Sequence, residues 1–181
     1  PLLLASDVGP LIDQDAARSL QPHVARLQRE ARLLQRVDPP QNLPAGCFFP
    51  LQAFELESLS LLEKEVFGPV LHVVRYRADK LEQVIEAVNN TGYGLTLGVH
   101  SRIEETWLRV QARARVGNLY INRNMIGAVV GAQPFGGEGL SGTGPKAGGP
   151  YYLHRFATER TLSVNTAAVG GNTGLLSLPE D

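Results

Sequence analysis

Residues 70–122 read VLHVVRYRADKLEQVIEAVNNTGYGLTLGVHSRIEETWLRVQARARVGNLYIN, and the changes of hydrophobic period within them decide the fold. Residues 70–76 are rich in β-branched and aromatic types, which predicts a strand. Asp79 and Glu82 then bracket Leu81 at capping-box spacing, and Val84, Ile85 and Val88 make an apolar stripe on one helix face. A second strand is expected over 95–100. Ser101 and Glu104 repeat the capping-box spacing ahead of Ile103, Trp107, Val110 and Ala114, and Gly117 marks the expected end of that helix. Residues 119–122 predict a third strand. Strand, helix, strand, helix, strand with short connections is a βαβαβ arrangement. We therefore expect an α/β fold with a parallel three-layer sheet, right-handed crossovers and ligand loops on one side.

The third strand opens into a long loop. Residues 118–150, NLYINRNMIGAVVGAQPFGGEGLSGTGPKAGGP, carry nine glycines. A loop of that length inside a compact domain usually binds something or covers a site, and glycines let a ligand approach bare backbone N–H groups. Val129, Val130, Phe135 and Leu140 interleave with the glycines and separate the loop from a flexible linker. GEGLSG imitates a dinucleotide-binding pattern, but it does not join a strand tightly to a helix.

Working outward, Asp13 follows the Gly9-Pro10 turn and is placed to cap a helix over 14–34, whose apolar set is Ala17, Leu20, Val24, Leu27, Ala31 and Leu34. Pro22 should bend or restart that helix. Residues 47–56 read as a strand that Pro50 restricts to an edge or a bulge, and 59–66 as a short helical turn. Beyond the glycine loop come a short helix near 151–157 and an exposed strand over 160–165. The expected division is a domain over 1–158 and an oligomerisation strand with a flexible tail over 159–181.

The 181 residues, 43% hydrophobic and 19% charged, suit one soluble globular domain. A formal net charge of -1 gives no footprint for nucleic acid or an anionic membrane. No run reaches the roughly 18 apolar residues of a membrane span, and PLLLA is too short for a signal peptide. The single cysteine, Cys47, rules out an internal disulfide and fits a reducing, cytoplasmic compartment. The chain opens at Pro1 without a methionine and is expected to be a piece of something larger.

Four segments occur in order: EKEVFGPVLHVVRY, NNTGYGLTLGVHS, ARVGNLYINRN and QPFGGEGLSGTGPKAGGP. Over about residues 7–165 the chain resembles the C-terminal portion of an NAD-dependent aldehyde dehydrogenase. GAVVGAQPFGGEGLSGTGPKAGGP and TLSVNTAAVGGN are more similar to the glutamate-semialdehyde (1-pyrroline-5-carboxylate) dehydrogenase module of bifunctional proline utilization A proteins. The resemblance implies oxidation of an aldehyde to an acid by a cysteine thiolate, NAD and a glutamate base. In the family both catalytic groups lie N-terminal to this segment, as does most of the NAD-binding domain. No catalytic residue is therefore assigned here, and FAD would belong only to a separate proline dehydrogenase domain of a bifunctional parent. Cys47, in PAGCFFP, reads as a small buried strand residue.

The resemblance also implies roles for particular residues. Glu65 of EVFGPV matches the glutamate that accepts from the nicotinamide-ribose hydroxyls, and Phe67 the aromatic near the nicotinamide ring; a solvated surface position is the plainer reading of Glu65. Gly127 and Ala128 match the loop whose amides hold the substrate's α-carboxylate, against a plain tight turn. Phe135 matches an aromatic lining the substrate's aliphatic part, against ordinary loop anchoring. His23, His72, His100 and His154 are dispersed and suggest no metal site, Lys146 follows no Walker pattern, and Trp107 falls on an apolar helix face. RTLSVN matches the arm by which the family pairs subunits, so a homodimer or larger assembly is expected. Expected partners are glutamate γ-semialdehyde and the rest of the parent chain. Competing readings are a non-catalytic aldehyde-dehydrogenase-like assembly module and an aldehyde dehydrogenase of another substrate class.

Overall fold

The computed structural model describes residues 8–43, 45–127, 129 and 131–165. Its first helix, α1 (Gln14–Glu30), starts where Asp13 Oδ1 accepts from Ala16 N–H at 2.8 Å, as the capping argument expects. Pro22 lies inside this one helix. The helix stops at Glu30, four residues short of the expected end, and Arg32–Val37 form strand β1. Residues 31–34 continue the helical spacing of apolar types, but a ladder to the next strand takes up their backbone groups, and tertiary pairing overrides periodicity.

Strand β2 (Leu51–Leu56) pairs antiparallel with β1, with a register shift between Leu33 and Gln35, and parallel with β3 (Val70–Val74). It is thus the central strand of this sheet, not an edge. The strand begins after Pro50, so the missing proline N–H removes no ladder bond. Cys47, half-buried, stands outside the strand in an isolated bridge in which its carbonyl accepts from Leu11 N–H at 2.8 Å. One face of the sheet packs on α1: Leu20, Val24 and Leu27, spaced by four and three, meet Phe54, Leu56 and Val70. At the rim Glu55 accepts from Arg32 and, at 2.8 Å, from Arg75; the Arg32 hydrogen bond is the main reason its carboxyl sits below the usual range.

A second core forms around α2 (Leu81–Asn90) and α3 (Glu104–Arg113), which place Leu81, Ile85 and Val110 against Leu97, Val99 and Leu119. Leu97 and Val99 belong to β5 (Thr96–Val99), which pairs parallel with β6 (Asn118–Ile121). Between α2 and β5, the short β4 (Tyr93–Gly94) pairs antiparallel with β7 (Glu138–Gly139) and brings the glycine loop back to the end of α2. Neither expected capping box is made. Asp79 is engaged by Arg77 at 2.9 Å, Glu82 accepts from Arg109 at 2.7 Å and from Arg113, and Ser101 closes a turn on Ile103 N–H at 3.1 Å. Competing arginines and a two-residue turn take the side chains that the spacing assigns to caps.

The α/β class and the parallel pairing hold, but the described strands fall into three sheets, β1-β2-β3, β4-β7 and β5-β6, instead of one continuous sheet. Periodicity specifies element type and leaves open which edges meet, and β3 and β5 share no ladder. The short helix after the loop is a 3-10 turn over Tyr152–Phe156. Residues 160–165, expected as a strand, are exposed and form no strand ladder with another described segment.

Candidate substrate and cofactor site

The long loop is built onto the first residues of β6. The Asn118 amide donates to Pro134 O at 3.0 Å, and its Oδ1 accepts from Gly136 N–H at 3.2 Å, so one side chain grips both sides of Phe135. Lys146 Nζ donates to the Gly117 carbonyl beneath it. A side chain at Gly117 would put its Cβ 2.8 Å from the Gly136 carbonyl carbon and 2.9 Å from Gly137 Cα, so the two backbones cross with no room between them. Phe135 exchanges two backbone hydrogen bonds of 3.0 Å with Ala147, and it is half-buried. The PFGG segment is therefore a clamped platform.

The limb between β6 and that platform carries Gly127, whose φ of 69° is left-handed. Among the described residues beyond its chain neighbours, no atom lies within 4 Å of where a Cβ would stand, and Gly127 N–H donates to no described residue. Its carbonyl accepts from the Tyr120 hydroxyl at 3.0 Å. Tyr120 is 6% exposed, and the Arg123 guanidinium lies 4.5 Å over its ring. On the far side, Val129 N–H donates to Gln133 Oε1 at 3.1 Å, and Val129 O accepts from Ala132 and Gln133 at 3.1 and 2.9 Å. Ala128 lies outside the described residues. Of the described amides at this bend, those of Ile126 and Val129 are engaged by Asn124 and Gln133, and that of Gly127 meets no described acceptor.

Glu65 and Phe67 sit on the other core, in the loop that runs into β3. Val66 between them packs against the α1 core, and Gly68 lies under Leu20, so alternate residues of EVFGPV dock while Glu65 and Phe67 point outward. Glu65 is exposed and Phe67 is 76% exposed, a large apolar ring left free for a ligand or another surface. Glu65 and Phe67 thus share one loop, and Gly127 and Phe135 another; among the described residues no hydrogen bond or ion pair joins the two groups. Cys47 is placed with Leu11, apart from both.

Two histidines that look dispersed in the sequence meet. His23 Nε2 on α1 and His72 Nε2 on β3 are 2.9 Å apart, with one ring edge-on to the other. At that separation one nitrogen carries a proton and the other accepts it. Burial is the main cause holding both below the ordinary histidine value; Arg26 and Lys64 add to it at His23, and His23 and Arg26 at His72. Among the described residues no group of three or more His, Cys, Asp or Glu side chains could hold a metal ion. Lys146 holds a backbone carbonyl rather than facing open loop. Asn118, Tyr120 and Lys146 escape the sequence reading as site-builders. Their signal is a polar residue at each end of a glycine loop and a tyrosine in an apolar strand, whose hydroxyl needs a partner once buried.

Known proteins resemble this chain over most of its length. The aldehyde dehydrogenase family description matches residues 1–162. The bifunctional protein PutA of Rhizobium meliloti is 52% identical over 176 residues, covering 97% of this chain and 14% of that protein. A crystal structure of a proline utilization A variant from Bradyrhizobium japonicum superposes with a TM-score of 0.80 at 58% identity, over 90% of this chain and 16% of that one. A 1-pyrroline-5-carboxylate dehydrogenase from Thermus, solved with bound NAD, superposes with a TM-score of 0.73 at 36% identity, over 83% of this chain and 29% of that one. The chain spans about a seventh of the length of the PutA relatives it matches. With the match spanning residues 1–162, both cores and the glycine loop included, this chain belongs to the aldehyde dehydrogenase family.

Proposed function

We propose that this chain is the part of an NAD-dependent L-glutamate γ-semialdehyde (1-pyrroline-5-carboxylate) dehydrogenase of proline catabolism that holds the substrate's α-carboxylate and the nicotinamide end of the cofactor. The observation that carries the reading is Gly127: a left-handed, uncrowded glycine with an uncommitted N–H, on a loop clamped at its base by Asn118. Gly127 and Ala128 would present amides to the carboxylate, and Phe135 would pack on the substrate's methylenes. NAD, when bound, supplies the hydride acceptor. An exposed carboxylate and an exposed aromatic ring fit a ribose diol and the adjoining nicotinamide, so Glu65 and Phe67 would orient that end.

The nucleophilic cysteine and the general base would come from elsewhere in a longer parent, as the family resemblance implies. FAD would be confined to a separate proline dehydrogenase domain. No described helix is long and apolar enough to cross a membrane, and the parent would work in the cytoplasm as a homodimer or larger, with residues 160–165 as the pairing arm.

The test has two arms. The 181 residues alone should give no NAD reduction with glutamate semialdehyde, and activity there would overturn the division of labour. In the parent enzyme, glutamate should protect the Gly127 amide from hydrogen exchange, whereas an apolar aldehyde analogue should not; equal protection by both would point to another substrate class.

A further inference from the structure

The carboxylate reading leaves open what holds Gly127 in place. Among the described residues, 123–127 carry only local hydrogen bonds, Arg123 to Asn124 O and Ile126 N–H to Asn124 Oδ1, apart from one hydrogen bond to the sheet. That bond comes from the Tyr120 hydroxyl, which donates to Gly127 O at 3.0 Å. Its donor is fixed on every side. Tyr120 lies in β6 opposite Gly98 of β5, its side chain is buried, and Arg123 covers the ring at 4.5 Å. A buried phenol has to satisfy its hydroxyl, and here the acceptor is the carbonyl of the residue assigned to substrate binding. With its carbonyl tied back to the strand and a left-handed φ of 69°, Gly127 keeps its own N–H free for an incoming anion.

We infer that Tyr120 is a specificity-determining positioning residue: through Gly127 it holds the loop in the shape that selects aldehydes bearing an α-carboxylate. The inference rests on the carboxylate reading of Gly127. Tyr120 touches no reacting atom, so its effect belongs to substrate binding and not to the chemical step.

The experiment is Tyr120→Phe in the full-length enzyme that carries this segment, assayed with glutamate semialdehyde and with propionaldehyde, which lacks the carboxylate. Y120F keeps the ring and removes one hydrogen bond. KM for glutamate semialdehyde should rise about tenfold, the scale of one lost hydrogen bond that orders a binding loop. The kcat, the KM for NAD and the KM for propionaldehyde should not change. The protection that bound glutamate gives the Gly127 amide should weaken while β6 stays protected, a readout that remains even if turnover proves too low to assay. A Gly127→Ala variant separates the two ideas. If G127A raises KM for glutamate semialdehyde and Y120F does not, the role of Tyr120 is wrong and the carboxylate reading stands. If neither variant moves it, the carboxylate reading fails first. If Y120F weakens both aldehydes equally, or loses protection in β6, Tyr120 is a packing residue and the inference is overturned.

Discussion

Gly68 lies directly against Leu20: a Cβ on Gly68 would stand 2.8 Å from Leu20 Cδ2 and closer still to Cδ1. Leu20 is 1% exposed, so it has nowhere to retreat. The glycine of FGPV is therefore a packing requirement of the α1 core, and it sets where Phe67 and Glu65 emerge. Gly68→Ala should destabilise the chain by about 1–3 kcal/mol, the usual range for overpacking. A urea titration checks this. In the double variant with Leu20→Ala the two costs should be less than additive, because the smaller side chain vacates the space.

Gly117 makes the corresponding demand on the other core. Its neighbours are backbone atoms of Gly136 and Gly137, which cannot rotate away as a side-chain tip can. Gly117→Ala should therefore lift the PFGG platform off β6 and break the grip of Asn118 on Pro134 and Gly136. The expected result is rapid exchange at the Gly136 amide and loss of substrate saturation in the assembled enzyme, with α1 and its sheet still folded. Protection at Gly136 equal to wild type would show that the crossing has slack.

Much of this architecture could be read before any coordinates. The Asp13 cap, the Leu20, Val24 and Leu27 stripe and the parallel pairing of β5 with β6 across α3 follow from periodicity and turn chemistry, which act locally. Strand β1 could not be read, because Leu33 and Leu34 extend the helical stripe and only the pairing of β1 with β2 shows otherwise. The caps misled for a related reason: Glu82 is placed to cap α2, but Arg109 and Arg113 reach it from α3, 27 and 31 residues on. Glycine density marks the loop itself. Its builders, Asn118, Tyr120 and Lys146, act across turns that composition does not reveal.

The His23 and His72 pair gives α1 and β3 a pH-dependent joint. Burial lowers both from the ordinary value of 6.5, so between that value and the lowered folded values the unfolded chain binds more protons than the folded one. Stability should be full above about pH 6.5 and decline as the pH falls through that window. The cations Arg26 and Lys64 facing the pair steepen the loss, since a protonated imidazole would meet them. Urea midpoints from pH 8 to pH 5 should fall for the wild type and flatten for His72→Gln, which keeps a hydrogen-bonding side chain but cannot take the proton. An unchanged slope in H72Q would place the titration elsewhere.

Under the proposed function the cofactor and substrate ends are separable, because Glu65 and Phe67 lie on a different core from Gly127 and would contribute different chemistry. Glu65→Gln keeps size and exposure but removes the charge that two ribose hydroxyls would share. The loss expected for charge-assisted hydrogen bonds is about 1.5–3 kcal/mol, a factor of roughly ten to a hundred in KM for NAD. Affinity for glutamate semialdehyde should not move, because the carboxylate loop is anchored through Asn118 and Tyr120 and not through EVFGPV. Phe67→Leu should raise KM for NAD less than Glu65→Gln, since it keeps apolar area and loses only ring stacking. Should Glu65→Gln instead weaken the aldehyde and spare NAD, the two loops would have to exchange roles.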